Sequence, residues 1–206
     1  MAKLYYRYGA MGSSKTANAL MVAFNYEEKG LLPLVLKPKM ENRDGEKIIK
    51  SRIGLERECE YVEDFIFYKE SDTFDKVAKY DCIIVDEVQF CTVAQVEMFA
   101  KIVKSLNIPV ICYGLLTDFL LNKFPASERL WELVNETERE KLRTVCWCGE
   151  GAECNTRLDE NGNVVRSGSQ IMLGGNESYT SLCMKHYYLG DIGPKMRAKF
   201  QNKKNK

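Results

Sequence analysis

Apolar residues in the first two thirds of the chain follow two alternating patterns. Short, nearly continuous apolar runs predict buried strands, and apolar residues at helical spacing between them predict amphipathic helices. The predicted strands are residues 3–8, 33–37, 82–87 and 108–114. The predicted helices are residues 15–28, 72–80, 93–105, which Thr92 caps, and 127–134. Strands that alternate with helices predict an α/β fold with a parallel, doubly wound sheet.

The segment between the second strand and the helix at 72–80 carries weaker signals. "PKMENRDGEK", residues 38–47, is polar and contains a glycine, so we predict a loop there. "CEYV", residues 59–62, and "FIFYK", residues 65–69, are candidates for two short strands.

The pattern changes after about Lys141. Cysteines, glycines and a turn-forming "DENGN" between short strand-like pieces follow, and the chain ends in basic residues. We therefore predict a first α/β domain at 1–141, a small second domain at 142–192, and a basic, disordered tail at 193–206.

Composition limits the classes of partner. The 206 residues are 45% apolar, which is enough for a core, and the net charge of +1 creates no overall field that would attract a nucleic acid or an anionic membrane. The N-terminus lacks the apolar core of a signal peptide, and no apolar run is long enough to span a bilayer. We therefore expect a cytoplasmic protein, with no membrane and no nucleic acid as partner.

The stretch "YGAMGSSKTANAL" lies between the first strand and the first helix. Gly9, Gly12, Lys15 and Thr16 supply most of the phosphate-binding pattern G-x-x-x-x-G-K-[ST], but Ser14 stands at the second glycine. Unpaired backbone N–H groups at a helix N-terminus, together with a lysine, bind phosphate. Serine resists the left-handed backbone that glycine accepts. The stretch alone is compatible with a phosphate cradle or with a simple turn.

The buried strand in "CIIVDEVQF" ends at Asp86 and Glu87. In P-loop proteins a carboxylate at this edge of the sheet holds Mg²⁺. The alternative is that both acids only cap the following helix. Since the loop and the acidic pair occur in the expected order, we favour a nucleotide site.

The cysteines and the single histidine suggest a metal site. Cys146, Cys148, Cys183 and His186 can close a tetrahedral, structural zinc site. One residue separates the first two cysteines, so Cys154 remains a possible replacement for one ligand. The other cysteines, Cys59, Cys82, Cys91 and Cys112, are interpreted as buried apolar residues.

Five motifs, "GAMGSSKT", "DEVQF", "GLLTDF", "GGNESY" and "CMKHY", resemble the zinc-containing thymidine kinase family over nearly the whole chain. The resemblance implies a RecA-like P-loop domain with a parallel sheet and a small C-terminal lasso domain that contains zinc. It also implies transfer of the γ-phosphate of ATP to the 5′-hydroxyl of thymidine, acceptance of deoxyuridine, a role in nucleoside salvage, inhibition by dTTP and a homotetramer.

The resemblance also assigns catalytic roles. Lys15 would hold the outer phosphates, Thr16 and Asp86 would bind Mg²⁺, Glu87 would be the general base, and Arg43 would approach the transferring phosphate. The residues expected to contact the nucleotide are Gly9, Ala10, Met11, Gly12, Ser13, Ser14, Lys15, Thr16, Asp86 and Gln89.

For the nucleoside, the resemblance implies an apolar slot around thymine and a loop that reads its polar edge. The slot would be formed by Met11, Phe90, Leu115 and Phe119, and the lasso by main-chain groups of Ile171, Met172, Leu173 and Gly174. Tyr179 would lie beside the deoxyribose, Asn155 would face the base, and Glu41 stands where the family usually has an aspartate on the 3′-hydroxyl.

Two other functions fit the same residues. A RecA-like ATPase could bind nucleic acid through a zinc ribbon, with the basic tail as its main support. A nucleotide-binding module could also have lost catalysis through Ser14.

Overall fold

The structure is a computed structural model that describes residues 1–41, 45–171 and 178–204. The strands in these ranges are β1 Leu4–Tyr8, β2 Pro33–Lys37, β3 Ile48–Lys50, β4 Glu56–Glu58, β5 Glu60–Tyr61, β6 Cys82–Val85, β7 Val110–Gly114, β8 Arg139–Lys141, β9 Cys154–Arg157 and β10 Tyr179–Leu182. The helices are α1 Lys15–Glu27, α2 Val62–Phe65, α3 Glu70–Val77, α4 Val93–Leu106, α5 Pro125–Leu133, α6 Met184–Leu189 and α7 Pro194–Lys204.

Six strands form one sheet in the order β5-β2-β6-β7-β1-β8, and each neighbouring pair is parallel. This confirms the predicted α/β fold with a parallel sheet. Tyr8 of β1 is paired with Gly114 of β7, and Val85 of β6 with Cys112. The carboxyl ends of these three strands therefore lie at one edge of the sheet, which is where parallel sheets place ligand sites.

Both faces of the sheet are buried, which explains the continuous apolar runs. Along β6, Ile83 and Val85 pack into one core and Cys82 and Ile84 into the other, because successive side chains point to opposite faces. Helix α1 contributes small residues such as Ala19 to the second core, while α4 and α5 cover the first.

Helix α4 begins as its sequence predicts. Thr92 adopts an extended backbone, and its side chain accepts a hydrogen bond from the Gln95 N–H at 3.2 Å. The Gln95 side chain in turn accepts from the Thr92 N–H at 2.8 Å. This reciprocal capping box satisfies two helix N-terminal donors.

The prediction for "FIFYK" is wrong. Phe65 ends the short helix α2, and the backbone that follows bonds locally to α3. The Phe67 N–H donates to the Thr73 hydroxyl at 2.8 Å, and that hydroxyl lies 3.3 Å from the Phe67 carbonyl. Aromatic composition suggested a strand, but this buried threonine takes the backbone groups that a strand partner would need. In "CEYV", by contrast, Glu60 and Tyr61 do form β5.

The chain divides into two compact units. The first comprises Met1–Tyr8, Ser14–Leu116 and Phe124–Leu142. The second comprises Gly9–Ser13, Thr117–Lys123 and Arg143–Lys206. Two short loops that precede residue 142 in the sequence thus group with the C-terminal residues.

The second unit is built on the antiparallel ribbon of β9 and β10. Its own core includes Cys154, Leu158, Leu182, Tyr187 and Phe200.

The tail differs from the expectation of disorder, because Pro194–Lys204 is the helix α7. Phe200 of this helix is buried, and Met196 packs against the same core. A side-chain carbon at Gly162 would lie 2.8 Å from the Phe200 ring, so the glycine gives the ring its space. Within the described ranges, no helix has both the length and the apolar character to cross a bilayer.

Candidate active site and zinc site

Asp86 follows β6 at the carboxyl edge of the sheet and is 3% exposed. Its backbone N–H donates to the Leu36 carbonyl at 2.9 Å, which extends the ladder with β2 by one residue. Burial, and then the neighbouring Glu87 carboxylate, raise the pKa of Asp86 to about 7, although a hydrogen bond with Thr16 and the charge of Lys15 oppose the rise. The structure thus brings together Lys15, Thr16 and Asp86.

Ser14 caps α1 in the left-handed conformation, with φ 59° and ψ 27°. The backbone at this position is the one for which glycine is suited, so the serine carries strain of about 1–2 kcal/mol. Its carbonyl accepts from the Asn18 N–H at 2.9 Å, and the helix starts at the buried Lys15. Ser14 therefore occupies the left-handed backbone conformation that a glycine at this position of the pattern would adopt readily.

Glu87 also has a left-handed backbone, with φ 51° and ψ 41°. Its carboxylate accepts a hydrogen bond from the Gln89 amide, and the oxygen of that amide accepts from the Leu115 N–H at 3.0 Å. A side-chain carbon at Gly114 would lie 2.6 Å from the Gln89 oxygen, so only glycine leaves room for this buried glutamine. Gln89, predicted as a nucleotide contact, here orients the carboxylate of Glu87.

Three predicted substrate residues belong to the first unit, namely Phe90, Leu115 and Glu41. Phe90 is partly buried and meets Phe124 edge to face, with ring centroids 6.2 Å apart. The Leu115 carbonyl accepts from the hydroxyls of Tyr6 and Ser127. These contacts fix the main chain of Leu115 next to the Gln89 bridge.

Glu41 is buried beside Lys37, with its carboxylate 3.8 Å from the lysine Nζ. Lys37 is itself buried and donates to the carbonyls of Gly45 and Ile48, at 2.8 Å each. Sequence analysis missed this lysine, because it ends a predicted strand and its partners Gly45 and Ile48 lie beyond that strand.

In the second unit, Asn155 is 3% exposed and its amide is engaged at both ends. Its oxygen accepts from the Met11 N–H at 2.8 Å, and its nitrogen donates to the Thr117 carbonyl at 2.8 Å. The predicted contact of Asn155 with the base remains a prediction.

Arg157 organises the predicted nucleoside residues of the second unit, and sequence analysis missed it. The buried guanidinium lies 3.7 Å from the centroid of the Phe119 ring. Its Nε donates to the Tyr179 hydroxyl at 2.7 Å, and its terminal nitrogens donate to the carbonyls of Ser169 and Gln170. An arginine at the end of a short strand carries no sequence signal for this role.

The side chain of Gln170 also makes hydrogen bonds, in addition to the bond that Arg157 donates to its carbonyl. Its side-chain nitrogen donates to the Asp118 carboxylate at 3.0 Å and lies 3.2 Å from the Lys123 carbonyl. Ile171 follows and is exposed. The other predicted site residues, Arg43, Met172, Leu173 and Gly174, lie outside the described residues.

Cys146, Cys148, Cys183 and His186 come together, with one potential ligand atom from each within 4.8 Å of all the others. The His186 Nδ1 is 3.2 Å from the Cys183 sulfur and 3.5 Å from the Cys146 sulfur, and the sulfurs of Cys148 and Cys183 are 4.0 Å apart. Tetrahedral zinc with three sulfurs and one nitrogen requires separations of about 3.5–3.8 Å. The four residues therefore fit zinc.

Two local features favour metal binding by these four residues. Burial raises the pKa of the Cys146 thiol, but hydrogen bonds with the backbone of Cys148 and Cys183 and with His186 bring it down to about 7, which favours the thiolate that zinc binds. Trp147 packs on the His186 ring with centroids 4.5 Å apart. The Cys154 sulfur instead contacts the Met184 sulfur at 3.7 Å, so within the described residues Cys154 is not part of the set.

Comparison with known proteins shows the family of this chain. The family model described as thymidine kinase matches residues 2–187. The thymidine kinase of Pasteurella multocida (strain Pm70) is 41% identical over 193 residues, which cover 91% of this chain and 97% of that protein. The thymidine kinase of Coxiella burnetii (strain RSA 493 / Nine Mile phase I) is 40% identical over 195 residues, 92% of this chain and 97% of that protein. The chain therefore belongs to the thymidine kinase family.

Proposed function

We propose that this protein transfers the γ-phosphate of ATP to the 5′-hydroxyl of thymidine and so produces dTMP. The observation that carries the proposal is the convergence of Lys15, Thr16 and Asp86 beside Glu87 at the carboxyl edge of the sheet. Phosphoryl transfer depends mainly on alignment and on neutralisation of charge, and these residues supply both.

The nucleotide end of the site binds phosphate and metal. The N–H groups at the start of α1 and the ammonium of Lys15 bind the outer phosphates of ATP, which supplies the phosphoryl group. Thr16 and Asp86 would hold Mg²⁺, an ion that prefers oxygen ligands and retains several waters. The raised pKa of Asp86 fits this role, because a buried carboxylate without a cation is costly and a bound cation offsets that cost.

Glu87 acts as the general base for the 5′-hydroxyl. Adjacent residues at the end of a strand can point in different directions, so one acid can serve the metal and the other the acceptor. The Gln89 amide, fixed by Leu115, holds the Glu87 carboxylate in one orientation, as catalytic bases require.

The nucleoside is bound by rings and by main-chain groups. In the second unit, Phe119 and Tyr179, both held by Arg157, contact the base and the deoxyribose, and Met11 is a further apolar contact of the base. In the first unit, the proposed apolar contacts of the base are Phe90 and Leu115. Main-chain groups of residues 171–174 pair with the polar edge of the base. Glu41 accepts a hydrogen bond from the 3′-hydroxyl, and Arg43 approaches the transferring phosphate.

Zinc has a structural role in this proposal. Four protein ligands leave no open position for catalysis, and the ribbon unit is too small to be stabilised by its apolar core alone. We further propose that the protein accepts deoxyuridine, is inhibited by dTTP, assembles as a homotetramer and serves nucleoside salvage in the cytoplasm.

The test is a panel of nucleosides incubated with ATP and Mg²⁺, with phosphorylated product separated by chromatography. We expect rapid formation of dTMP, slower formation of dUMP, and none with Lys15→Ala. If ATP is hydrolysed without a nucleoside product, and the protein binds single-stranded DNA in a salt-sensitive manner, the kinase proposal is wrong and the nucleic-acid ATPase is favoured.

A further inference from the structure

The main chain of Met11 is held at both of its polar atoms by side chains from the ribbon. The Asn155 oxygen accepts from the Met11 N–H at 2.8 Å, and the Ser181 hydroxyl donates to the Met11 carbonyl at 2.5 Å. Asn155 on β9 and Ser181 on β10 are direct partners across the ribbon. Residues paired in this way project from the same face, so the two strands together bind the backbone N–H and the backbone carbonyl of one residue of the phosphate loop.

The same amide also binds a second loop. The Asn155 nitrogen donates to the Thr117 carbonyl at 2.8 Å, two residues before Phe119. Asn155 is buried, so its donor and its acceptor both serve protein groups. One side chain therefore connects the loop that carries Met11 with the loop that carries Phe119.

The Met11 loop contains a local turn and a left-handed glycine. Within it, the Ser13 N–H donates to the Ala10 carbonyl at 3.2 Å, and Gly12 has a left-handed φ of 79°. A loop of this kind must be ordered before its N–H groups can bind phosphate, and contacts that order it in advance strengthen binding. Asn155 and Ser181 provide such contacts at its centre.

We propose that Asn155 and Ser181 are positioning residues of the phosphate loop, and that Asn155 couples the binding of nucleotide to the binding of nucleoside. The proposal rests on the proposed kinase function. A nucleoside that packs on Phe119 restrains the loop from Thr117 onward, and the shared amide transmits this restraint to Met11. Each ligand then meets a loop already ordered by the other, and each increases the affinity for the other by the same factor.

Two variants separate the connections. Asn155→Asp keeps an oxygen for the Met11 N–H but replaces the donor to Thr117 with a second acceptor, so it breaks the link between the loops. Ser181→Ala removes only the hydrogen bond to the Met11 carbonyl. Thr180→Ala, on the neighbouring and partly buried position of β10, is the matched control.

The experiment is calorimetric titration with a non-hydrolysable ATP analogue, with and without saturating thymidine, and with thymidine alone. In the wild type, we expect thymidine to increase the affinity for the analogue by about fivefold or more. In Asn155→Asp this factor should fall close to one. In Ser181→Ala the affinity for the analogue should fall about threefold to tenfold, while thymidine alone binds within about twofold of wild type.

Zinc content and thermal unfolding of each variant establish that it is folded, and Ser181→Ala tests the proposal even if Asn155→Asp does not fold. A wild-type coupling factor in folded Asn155→Asp would overturn the proposal. So would a loss of thymidine affinity alone in that variant, which is expected if Asn155 contacts the base. If the wild-type protein binds neither the ATP analogue nor thymidine, the proposed kinase function is wrong. If it binds both but Asn155→Asp keeps the wild-type coupling factor, only the proposed role of Asn155 is wrong.

Discussion

Nε of Arg157 donates a hydrogen bond of 2.7 Å to the hydroxyl of Tyr179. The tyrosine oxygen thus acts as an acceptor toward the arginine, and its own O–H remains able to donate to a ligand. The same guanidinium stacks on Phe119 and binds the Ser169 carbonyl at 2.9 Å. A single planar cation therefore fixes two aromatic rings and the start of the predicted lasso, a geometry that an ammonium group cannot reproduce.

Arg157→Lys should therefore weaken nucleoside binding more than nucleotide binding. We expect the KM for thymidine to rise about tenfold or more, with a smaller change in the KM for ATP, as measured by steady-state kinetics. Arg166→Lys, which alters a different stacked arginine of the same unit, is the control and should leave the KM for thymidine nearly unchanged. If the effects of Arg157→Lys and Tyr179→Phe are fully additive in the double variant, Arg157 does not act through Tyr179.

Glu87→Gln should reduce kcat without removing binding. The amide cannot accept the proton of the 5′-hydroxyl, so we expect kcat to fall about 10²-fold or more, while the Kd of thymidine measured by calorimetry stays within about threefold. Gln89→Met should lower kcat less, because the carboxylate remains but loses its orienting amide. Unchanged turnover in Glu87→Gln would remove this residue from the role of base.

Asp86→Asn should stabilise the ligand-free protein at alkaline pH. The pKa of Asp86 is about 7 in the folded state against 3.8 for an unperturbed aspartate, so the folded state binds more protons between about pH 4 and 7. Between these pH values the free energy of unfolding of the wild type falls as pH rises. Above about pH 7 the stability that has been lost stays constant. The neutral asparagine avoids this cost.

The measurement is urea unfolding of both proteins at pH 5 and pH 8, without nucleotide or Mg²⁺. We expect the advantage of Asp86→Asn to be larger at pH 8, on the order of 1–3 kcal/mol, and the variant to be inactive. Asp75→Asn, at an exposed carboxyl on α3, serves as the control for the general effect of charge. An advantage that does not grow with pH would contradict the burial of an ionisable Asp86.

Ser14→Gly should be tolerated. Glycine relieves the left-handed strain but increases the conformational freedom of the unfolded chain, so the net stabilisation should be between zero and about 1 kcal/mol, with kcat within about twofold of wild type. Ser14→Val is the contrasting variant, because a β-branched residue adopts positive φ poorly, and it should lower both stability and ATP affinity. Equal behaviour of the two variants in thermal unfolding would show that the backbone strain at this position is unimportant.

Zinc should be bound at one ion per chain, as measured by elemental analysis. Cys183→Ser should lose the metal and lower the Tm, because the ligands hold together a unit with a small core. Cys154→Ser is the matched control: its sulfur contacts Met184 instead of the cluster, so it should retain zinc. Loss of zinc from Cys154→Ser would mean that Cys154 is a ligand.

Much of the fold could be predicted from local pattern. The strand at Pro33–Lys37 and the helix that follows Thr92 have the predicted positions, because burial on a sheet or a helix face leaves a periodic trace in the sequence. The short strand β8, Arg139–Lys141, was missed, since its residues are polar and largely exposed and only pairing with β1 makes them a strand. The start of the tail is helix-like in sequence but was predicted to be disordered, because the burial of Phe200 above Gly162 cannot be read from the local pattern.

The sequence by itself determined the α/β class, and it predicted a phosphate loop, the acidic pair after β6 and a zinc set in which one ligand stayed open, because each is a short-range pattern with its own chemistry. Only the tertiary structure decided that Met11 is held by Asn155 and Ser181, that Arg157 joins Phe119 to Tyr179, and that Lys37 is buried beside Glu41. Most of these contacts join positions far apart in the chain. A hydrogen bond between such positions leaves no periodicity in either segment, so it becomes visible only when the fold brings donor and acceptor together.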